Sequence, residues 1–155
     1  MTEIVDLWPD KIKVDKVITP VIILRQQASL LGKKTKNIVQ ADVLNVKIVA
    51  ELYDFHYALY LVASALNNYR YRLLDIFYNV SPLYPMKVEV ESDIYNEISS
   101  KFKSPEQNIG AFSEEDFKNI LREIFNSAKV KRIISVLLSQ SDPSYDPSLK
   151  EEETQ

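Results

Sequence analysis

Glycine is scarce in this sequence, and its scarcity excludes several kinds of site. The chain has two glycines among 155 residues, Gly32 and Gly110, and they lie far apart. Phosphate-binding loops, dinucleotide-binding turns and the nucleophile elbow each need two or more glycines within a few residues. Their backbone takes positive φ or approaches a phosphate closely, which other residues resist. The sequence therefore excludes all three motifs.

Cysteine is absent, and histidine occurs once, at His56. The chain therefore has no disulfide or thiolate chemistry, and it cannot supply the two histidines of a common zinc site. We expect no metal and no cofactor. If the protein is an enzyme, its best acid–base candidate is His56 with Asp54 or Asp75. The competing interpretation is a hydrogen-bonded histidine at the edge of the core, which we favour.

Long apolar runs are also absent. The longest, residues 57–63, is far shorter than the roughly 18 residues that a membrane span needs, and the first residues lack the apolar stretch of a secretory signal. We therefore expect a cytoplasmic protein that does not act in a membrane. The net charge is -3, yet five acids and one lysine lie in residues 142–155. This composition predicts one domain over residues 1–141, followed by an acidic, disordered tail over residues 142–155.

The hydrophobic pattern predicts an α+β fold. Thr19 and Pro20 are typical of a helix start, and Gly32 is a natural stop after about Leu31. Four runs of alternating or apolar residues then predict a four-stranded antiparallel meander, at about 39–50, 53–65, 69–79 and 86–91. Residues 103–112 are predicted to be a loop.

Two or three helices are predicted to follow the meander and to pack on the sheet. Ser92 or Asp93 can cap a short helix, and Ser113 begins a capping-box pattern with acids in the first helical turn. Apolar residues then recur at helical spacing in two successive segments: Phe117, Ile120, Leu121, Ile124 and Phe125, then Val130, Ile133, Ile134, Leu137 and Leu138.

The second and third predicted strands are apolar on both faces. If they pair around Asn67, residues whose numbers sum to 133 lie opposite each other. One face then carries Phe55, Tyr57, Leu59, Leu61, Leu74, Ile76 and Tyr78. The other carries His56, Ala58, Tyr60, Val62, Tyr69, Tyr71, Leu73 and Phe77. A register error of one residue on one strand would change the cross-strand pairs, but it would not mix these alternating sets within either strand.

Three interpretations compete for the second face. Helices can cover both sides of the sheet, the Thr19 helix on one side and the Ser113 helices on the other. Alternatively, the face binds a protein partner or a second copy, through His56, Tyr60, Tyr69, Tyr71 and Phe77. As a third possibility, it stacks bases of single-stranded nucleic acid.

A nucleic-acid site would draw on the basic clusters of the chain, which are Lys33, Lys34, Lys36, Arg70, Arg72, Lys129, Lys131 and Arg132. Strand alternation argues against it, because Tyr69 and Tyr71 point to one face and Arg70 and Arg72 to the other. Only a twist or a bulge would bring rings and cations together. Lys33, Lys34 and Lys36 also suit the end of the Thr19 helix.

These observations favour binding over catalysis. We expect a small intracellular interaction or regulatory module, such as an adaptor, an inhibitor or an immunity- or defence-type accessory protein, which acts on a protein partner or as a homodimer. The alternatives are a nucleic-acid-binding accessory protein and, less favoured, a small enzyme centred on His56.

Overall fold

The computed structural model describes residues 3–12, 16–47, 52–102 and 108–142. It confirms the α+β class, with one helix before the main strands and three helices after them. The elements are α1 (Pro20–Lys34), β1 (Gln40–Asn45), β2 (Phe55–Ala63), β3 (Tyr69–Tyr78), β4 (Met86–Val90), α2 (Ser92–Ile98), β5 (Asn108–Ala111), α3 (Glu114–Phe125) and α4 (Ala128–Ser141).

The sheet has five antiparallel strands in the order β1-β2-β3-β4-β5, so the predicted count of four was one too few. The missed strand is β5, which pairs with β4 inside the predicted loop at 103–112. Its sequence, Asn-Ile-Gly-Ala, is too short to show a period, and Asn108 and Gly110 are poor strand formers. Pairing with β4 overrides that local preference and buries Ile109 and Ala111.

One face of the sheet carries the main hydrophobic cluster of the protein. Buried residues of all four helices form a single cluster with Leu59, Leu61, Leu74 and Ile76 of the two central strands. We call this side the helix face and the other side the open face. The prediction that helices cover both sides was therefore wrong, because the described helices all pack on the helix face. None of these helices is long and apolar enough to cross a membrane.

A β-bulge divides the pairing of β2 with β3. From Phe55↔Tyr78 to Leu59↔Leu74 the register is the predicted one, but the next pair is Tyr60↔Arg72. Leu73 is the extra residue, and it lies in the core beside Leu74. The residues of β3 that precede the bulge, Tyr69 to Arg72, therefore lie on the opposite faces from those predicted.

The predicted second face is corrected accordingly. Leu73, Tyr69 and Tyr71 belong to the helix face, while Arg70 and Arg72 lie on the open face with His56, Tyr60 and Phe77. The argument that a register error cannot mix the alternating sets fails here, because a bulge inserts one residue into one strand only.

Helix α1 continues two residues past Gly32, to Lys34. The turn that ends it uses positive φ at Lys36 and Asn37 instead, and the Asn37 amide donates to the Gly32 carbonyl at 2.8 Å. The space beside Gly32 is narrow, since an added Cβ would lie 3.1 Å from Asn37 Oδ1. The predicted disordered tail lies outside the described residues from 143 onward.

Candidate functional site

The histidine singled out in the sequence belongs to a three-residue polar cluster on the open face. His56 Nε2 lies 2.5 Å from Asp75 Oδ2, and the guanidinium of Arg72 donates from Nε to Asp75 Oδ1 at 2.8 Å. A second nitrogen of Arg72, Nη2, also donates to Oδ2. Of the two carboxylates considered for His56, the structure therefore selects Asp75. Asp54 instead accepts a hydrogen bond from the Val80 amide.

The imidazole of His56 is enclosed. Its side chain is 10% exposed, and its ring stacks on Phe77 with 4.0 Å between the centroids. The second ring nitrogen, Nδ1, is buried and has no hydrogen-bond partner among the described residues. An acid–base catalyst must bring that atom within hydrogen-bond reach of a substrate. In this arrangement the atom is buried and the ring is stacked on Phe77, as in a structural histidine.

Asp75 is held in its ionised form. Burial disfavours the charge, but hydrogen bonds from Arg72 and His56 outweigh burial and lower the pKa of the Asp75 carboxyl below its usual value. The same ion pair raises the pKa of Arg72. The cluster is therefore a charge-assisted network that joins β2 to β3 just beside the bulge.

Further ion pairs and rings cover the rest of the open face. Tyr60 lies between two guanidinium groups, with Arg70 Cζ 5.9 Å and Arg72 Cζ 5.8 Å from its ring centroid. Arg70 also pairs with Asp42 at 2.9 Å. Lys87 stands over Phe77, 4.2 Å from its centroid, which leaves the Phe77 ring almost fully covered.

A groove on the helix side of the molecule brings together residues predicted to bind a protein partner and residues predicted to bind nucleic acid. It lies between the start of β3 and helix α4, has a volume of about 680 Å³, and we call it the Tyr69 groove. Its lining comprises Leu66, Tyr69, Tyr71, Lys129, Arg132, Ile133, Val136, Leu137 and Gln140. Within β3, alternation separates Tyr69 and Tyr71 from Arg70 and Arg72. In the groove the two tyrosines instead meet cations of helix α4, Lys129 and Arg132.

Tyr71 forms the inner wall of the Tyr69 groove. Its hydroxyl is buried close to the Glu91 carboxylate. Burial, together with the nearby Glu91 carboxylate, raises the pKa of Tyr71 well above its usual value, so the phenol stays neutral. Tyr69, at the rim, is 47% exposed, and Val136 of α4 is similarly exposed opposite it. The groove therefore offers an apolar floor with an aromatic rim.

The cations at the start of α4 differ in their pairing. Lys129 contacts Glu91 at 3.4 Å and Asp93 at 2.9 Å, and these carboxylates raise its pKa. A carboxylate of α2 also contacts the start of α4, since the Ala128 amide donates to the Glu97 carboxylate at 2.8 Å. Arg132 makes no ion pair with any described residue, so it is the free cation of the Tyr69 groove.

The basic residues proposed for nucleic-acid binding do not share one surface. Arg70 and Arg72 lie on the open face, whereas Lys129 and Arg132 line the Tyr69 groove on the other side. Lys33 and Lys34 end helix α1, where Lys33 borders a groove beside strand β1. Lys36 follows in the turn after α1, and Lys131 is exposed on α4.

No known protein family, curated protein or solved structure matches this chain. The geometry of its own residues therefore carries the functional argument. Across the described ranges, no three histidine, aspartate or glutamate side chains are grouped as they would be to hold a metal ion.

The sequence analysis missed the role of Val136 and Leu137 in the Tyr69 groove. Leu137 belongs to the helical spacing that predicted α4, whereas Val136 does not, and periodicity does not tell which strand a helix contacts. The extra residue in β3 gave no local signal either, because Leu73 and Leu74 are adjacent apolar residues and either can point to the core.

Proposed function

We propose that this protein is a protein-interaction module, with no catalytic role, that binds its partner in the Tyr69 groove. The observation that supports this proposal is the convergence of Tyr69, Tyr71, Arg132 and Val136 on one open groove. Tyrosine and arginine dominate the energetics of protein interfaces, because they combine apolar area with directed polar groups. An adaptor, an inhibitor or a defence-type accessory protein would use such a surface.

The lining also indicates the chemistry of the partner. Arg132 lacks an ion-pair partner among the described residues, whereas Lys129 is already paired with two carboxylates. A partner segment with an apolar or aromatic side chain would pack between Tyr69 and Val136. A carboxylate close to that side chain would meet Arg132, where a bidentate pair is possible.

Affinity capture with matched variants tests the proposal. The tagged protein is incubated with lysate of its source organism, with and without nuclease, and recovered proteins are quantified by mass spectrometry. We expect a stoichiometric partner with the wild type that is lost with Tyr69→Ala combined with Val136→Asp. Tyr60→Ala is the control, since it removes a tyrosine from the open face, and it should recover the partner fully.

Two outcomes contradict the proposal. One is a partner recovered equally by wild type and by the groove variant, which would place its binding surface elsewhere. The other is recovery that disappears with nuclease, which would favour nucleic acid.

A second candidate function, binding of single-stranded nucleic acid, is favoured by one observation on the open face. The bulge brings Arg70 and Arg72 to the same side as Tyr60, the combination of ring and cations that a base-stacking site requires. Against it, Asp42 and Asp75 already neutralise these two arginines. If this function is correct, affinity for a single-stranded oligonucleotide falls steeply with salt, and Tyr60→Ala abolishes it.

A further inference from the structure

Strand β1 is an edge of the sheet that lacks the usual protection against further pairing. Among the described strands, β1 is the last on its side of the sheet. Its six residues include no proline and no lysine, its single acid, Asp42, pairs with Arg70, and its pairing with β2 has no bulge. Natural edge strands are normally shortened, charged with lysine, bulged or covered, because an unprotected edge pairs with other chains. The opposite edge, β5, is only four residues long.

The free hydrogen-bonding groups of this edge can be assigned. The Val46 amide donates to the His56 carbonyl at 2.9 Å, which fixes the phase of the β1–β2 ladder. Because bonded and non-bonded positions alternate in an antiparallel pair, Gln40, Asp42 and Leu44 face β2. Ala41, Val43 and Asn45 therefore direct their backbone groups outward, where a further strand would bind.

A basic groove runs beside this edge. It lies between α1 and β1, has a volume of about 700 Å³, and includes Arg25, Gly32 and Lys33 of the helix in its lining. Helix α1 contains three cations and no acid. Arg25 and Lys33 make no ion pair with any residue in the described ranges. The groove therefore suits an extended segment that carries carboxylates.

The chain itself contains a segment of that chemistry. Residues 3–12, which we call the leading segment, are neither helix nor strand, and five of these ten residues are exposed apolar side chains. Ile4 is 97% exposed and Leu7 is 88% exposed, with Val5, Trp8 and Ile12 also open to solvent. Single exposed apolar residues are ordinary, but a contiguous group of this kind marks an interaction site.

The leading segment fits the groove in length and in charge. Its first five described residues alternate Glu3, Val5 and Leu7 on one side with Ile4 and Asp6 on the other, so each side carries one acid beside apolar side chains. The Trp8 amide donates to Asp6 Oδ1 at 3.0 Å, and Pro9, which has no amide donor, follows. A strand of residues 3–7 would end at this turn, close to the length of β1.

We propose that residues 3–7 of one copy add as a further strand to the outer edge of β1 in a second copy. Exchange of both segments gives a closed twofold dimer. Within one chain, residues 3–7 form no strand pair with β1. Direct pairing of two β1 strands is disfavoured, because it would bring two α1 helices, each with three cations, close together.

Charge reversal tests this exchange. One variant carries Arg25→Glu and Lys33→Glu, which makes the groove acidic; a second carries Glu3→Lys and Asp6→Lys, which makes the segment basic. We expect the wild type to dimerise in sedimentation equilibrium, and each variant alone to have a Kd raised by about 10-fold or more. An equimolar mixture should restore dimerisation, since each segment then meets a groove of opposite charge.

The control reverses two exposed cations outside the groove, Arg122→Glu with Lys131→Glu, and should dimerise like the wild type. Thermal unfolding checks that every variant is folded. The proposal is overturned if the wild type remains monomeric at every concentration at which it is soluble. It is also overturned if the acidic-groove variant dimerises normally, or if the mixture fails to recover the dimer that both variants lost.

Discussion

At the scale of single residues, His56 is the group whose role the structure changes most. A lone histidine near two aspartates is compatible with acid–base chemistry, but Asp75, its polar side-chain partner among the described residues, is shared with Arg72. The free nitrogen of the ring is enclosed against Phe77 rather than open to a substrate. These contacts are what a stabilising side chain makes.

We expect substitution of His56 to lower stability. His56→Gln removes the stacked ring, and His56→Phe keeps a ring but removes the hydrogen bond to Asp75. Each change should lower the free energy of unfolding by about 1–3 kcal/mol, because a buried acceptor loses a donor or a packed ring is lost. Urea denaturation measures this difference. Unchanged stability in both variants would instead favour a functional histidine.

The lowered pKa of Asp75 predicts how stability depends on acid pH. A carboxyl whose pKa is depressed in the folded state stabilises the fold above its unfolded pKa, about 3.9 for aspartate. That contribution is lost as the pH falls through the folded pKa, since the unfolded chain binds the proton more tightly. The urea concentration at the unfolding midpoint of the wild type should therefore decrease as the pH is lowered below about 4. Asp75→Asn should flatten this fall, and an equally steep decline in that variant would contradict the assignment.

At the scale of elements, helix α4 shows how neighbouring helices cooperate. Its own first turn contains no acid, which is unfavourable at the positive end of a helix. Glu97 of α2 supplies the missing carboxylate at the Ala128 amide, and Asp93 and Glu91 engage Lys129. The cation Lys129 at this helix start is thus explained by contacts that sequence order does not reveal.

Ser127 links α3 to α4. We expect its substitution by alanine to lower the free energy of unfolding more than the same substitution at an exposed helix N-cap. Its hydroxyl donates to the Ile124 carbonyl at 2.7 Å and accepts from the Val130 amide at 3.3 Å, and the residue is buried. Ser127→Ala should lower the free energy of unfolding by about 1–2 kcal/mol. Ser113→Ala, which removes an exposed cap of α3, is the matched control.

Thermal and urea unfolding compare the two serine variants directly. The exposed Ser113 accepts one hydrogen bond, from the Asp116 amide at 3.1 Å, and water can replace it. A larger loss at Ser113 than at Ser127 would show that burial does not set the cost of these caps.

At the scale of the whole molecule, the sheet separates two surfaces of different character. The helix side carries the main core cluster and the Tyr69 groove, where Arg132 makes no ion pair with a described residue. The open face has its buried rings covered by residues that pair with one another, such as Arg70 with Asp42 and Lys87 with Glu89. Partner binding and self-association are therefore proposed at separate places, one beside α4 and the other at the β1 edge.

The two proposals can fail independently because they use different residues. Charge reversal at Arg25 and Lys33 should leave the Tyr69 groove intact, and Tyr69→Ala should leave the β1 edge intact. A monomeric variant that still captures a partner would support the groove alone. The reverse result would support the exchange alone.

The sequence by itself determined the α+β class and most of the elements. Helices α3 and α4 follow from apolar residues at helical spacing after Ser113, and the central strands follow from their own alternation. Local patterns of this kind are set by which side of one element is buried. The β2–β3 register far from the turn, Phe55↔Tyr78 to Leu59↔Leu74, also matches the prediction, whereas the pairs next to the turn are shifted by one residue.

Only the tertiary structure decided which face each side chain occupies. The bulge at Leu73 moved Tyr69 and Tyr71 to the helix face and Arg70 and Arg72 to the open face. Both faces of these strands are rich in apolar residues, so burial could not identify the extra residue from the sequence. Contacts between distant segments made that choice, as they did for β5 and for the partner of His56.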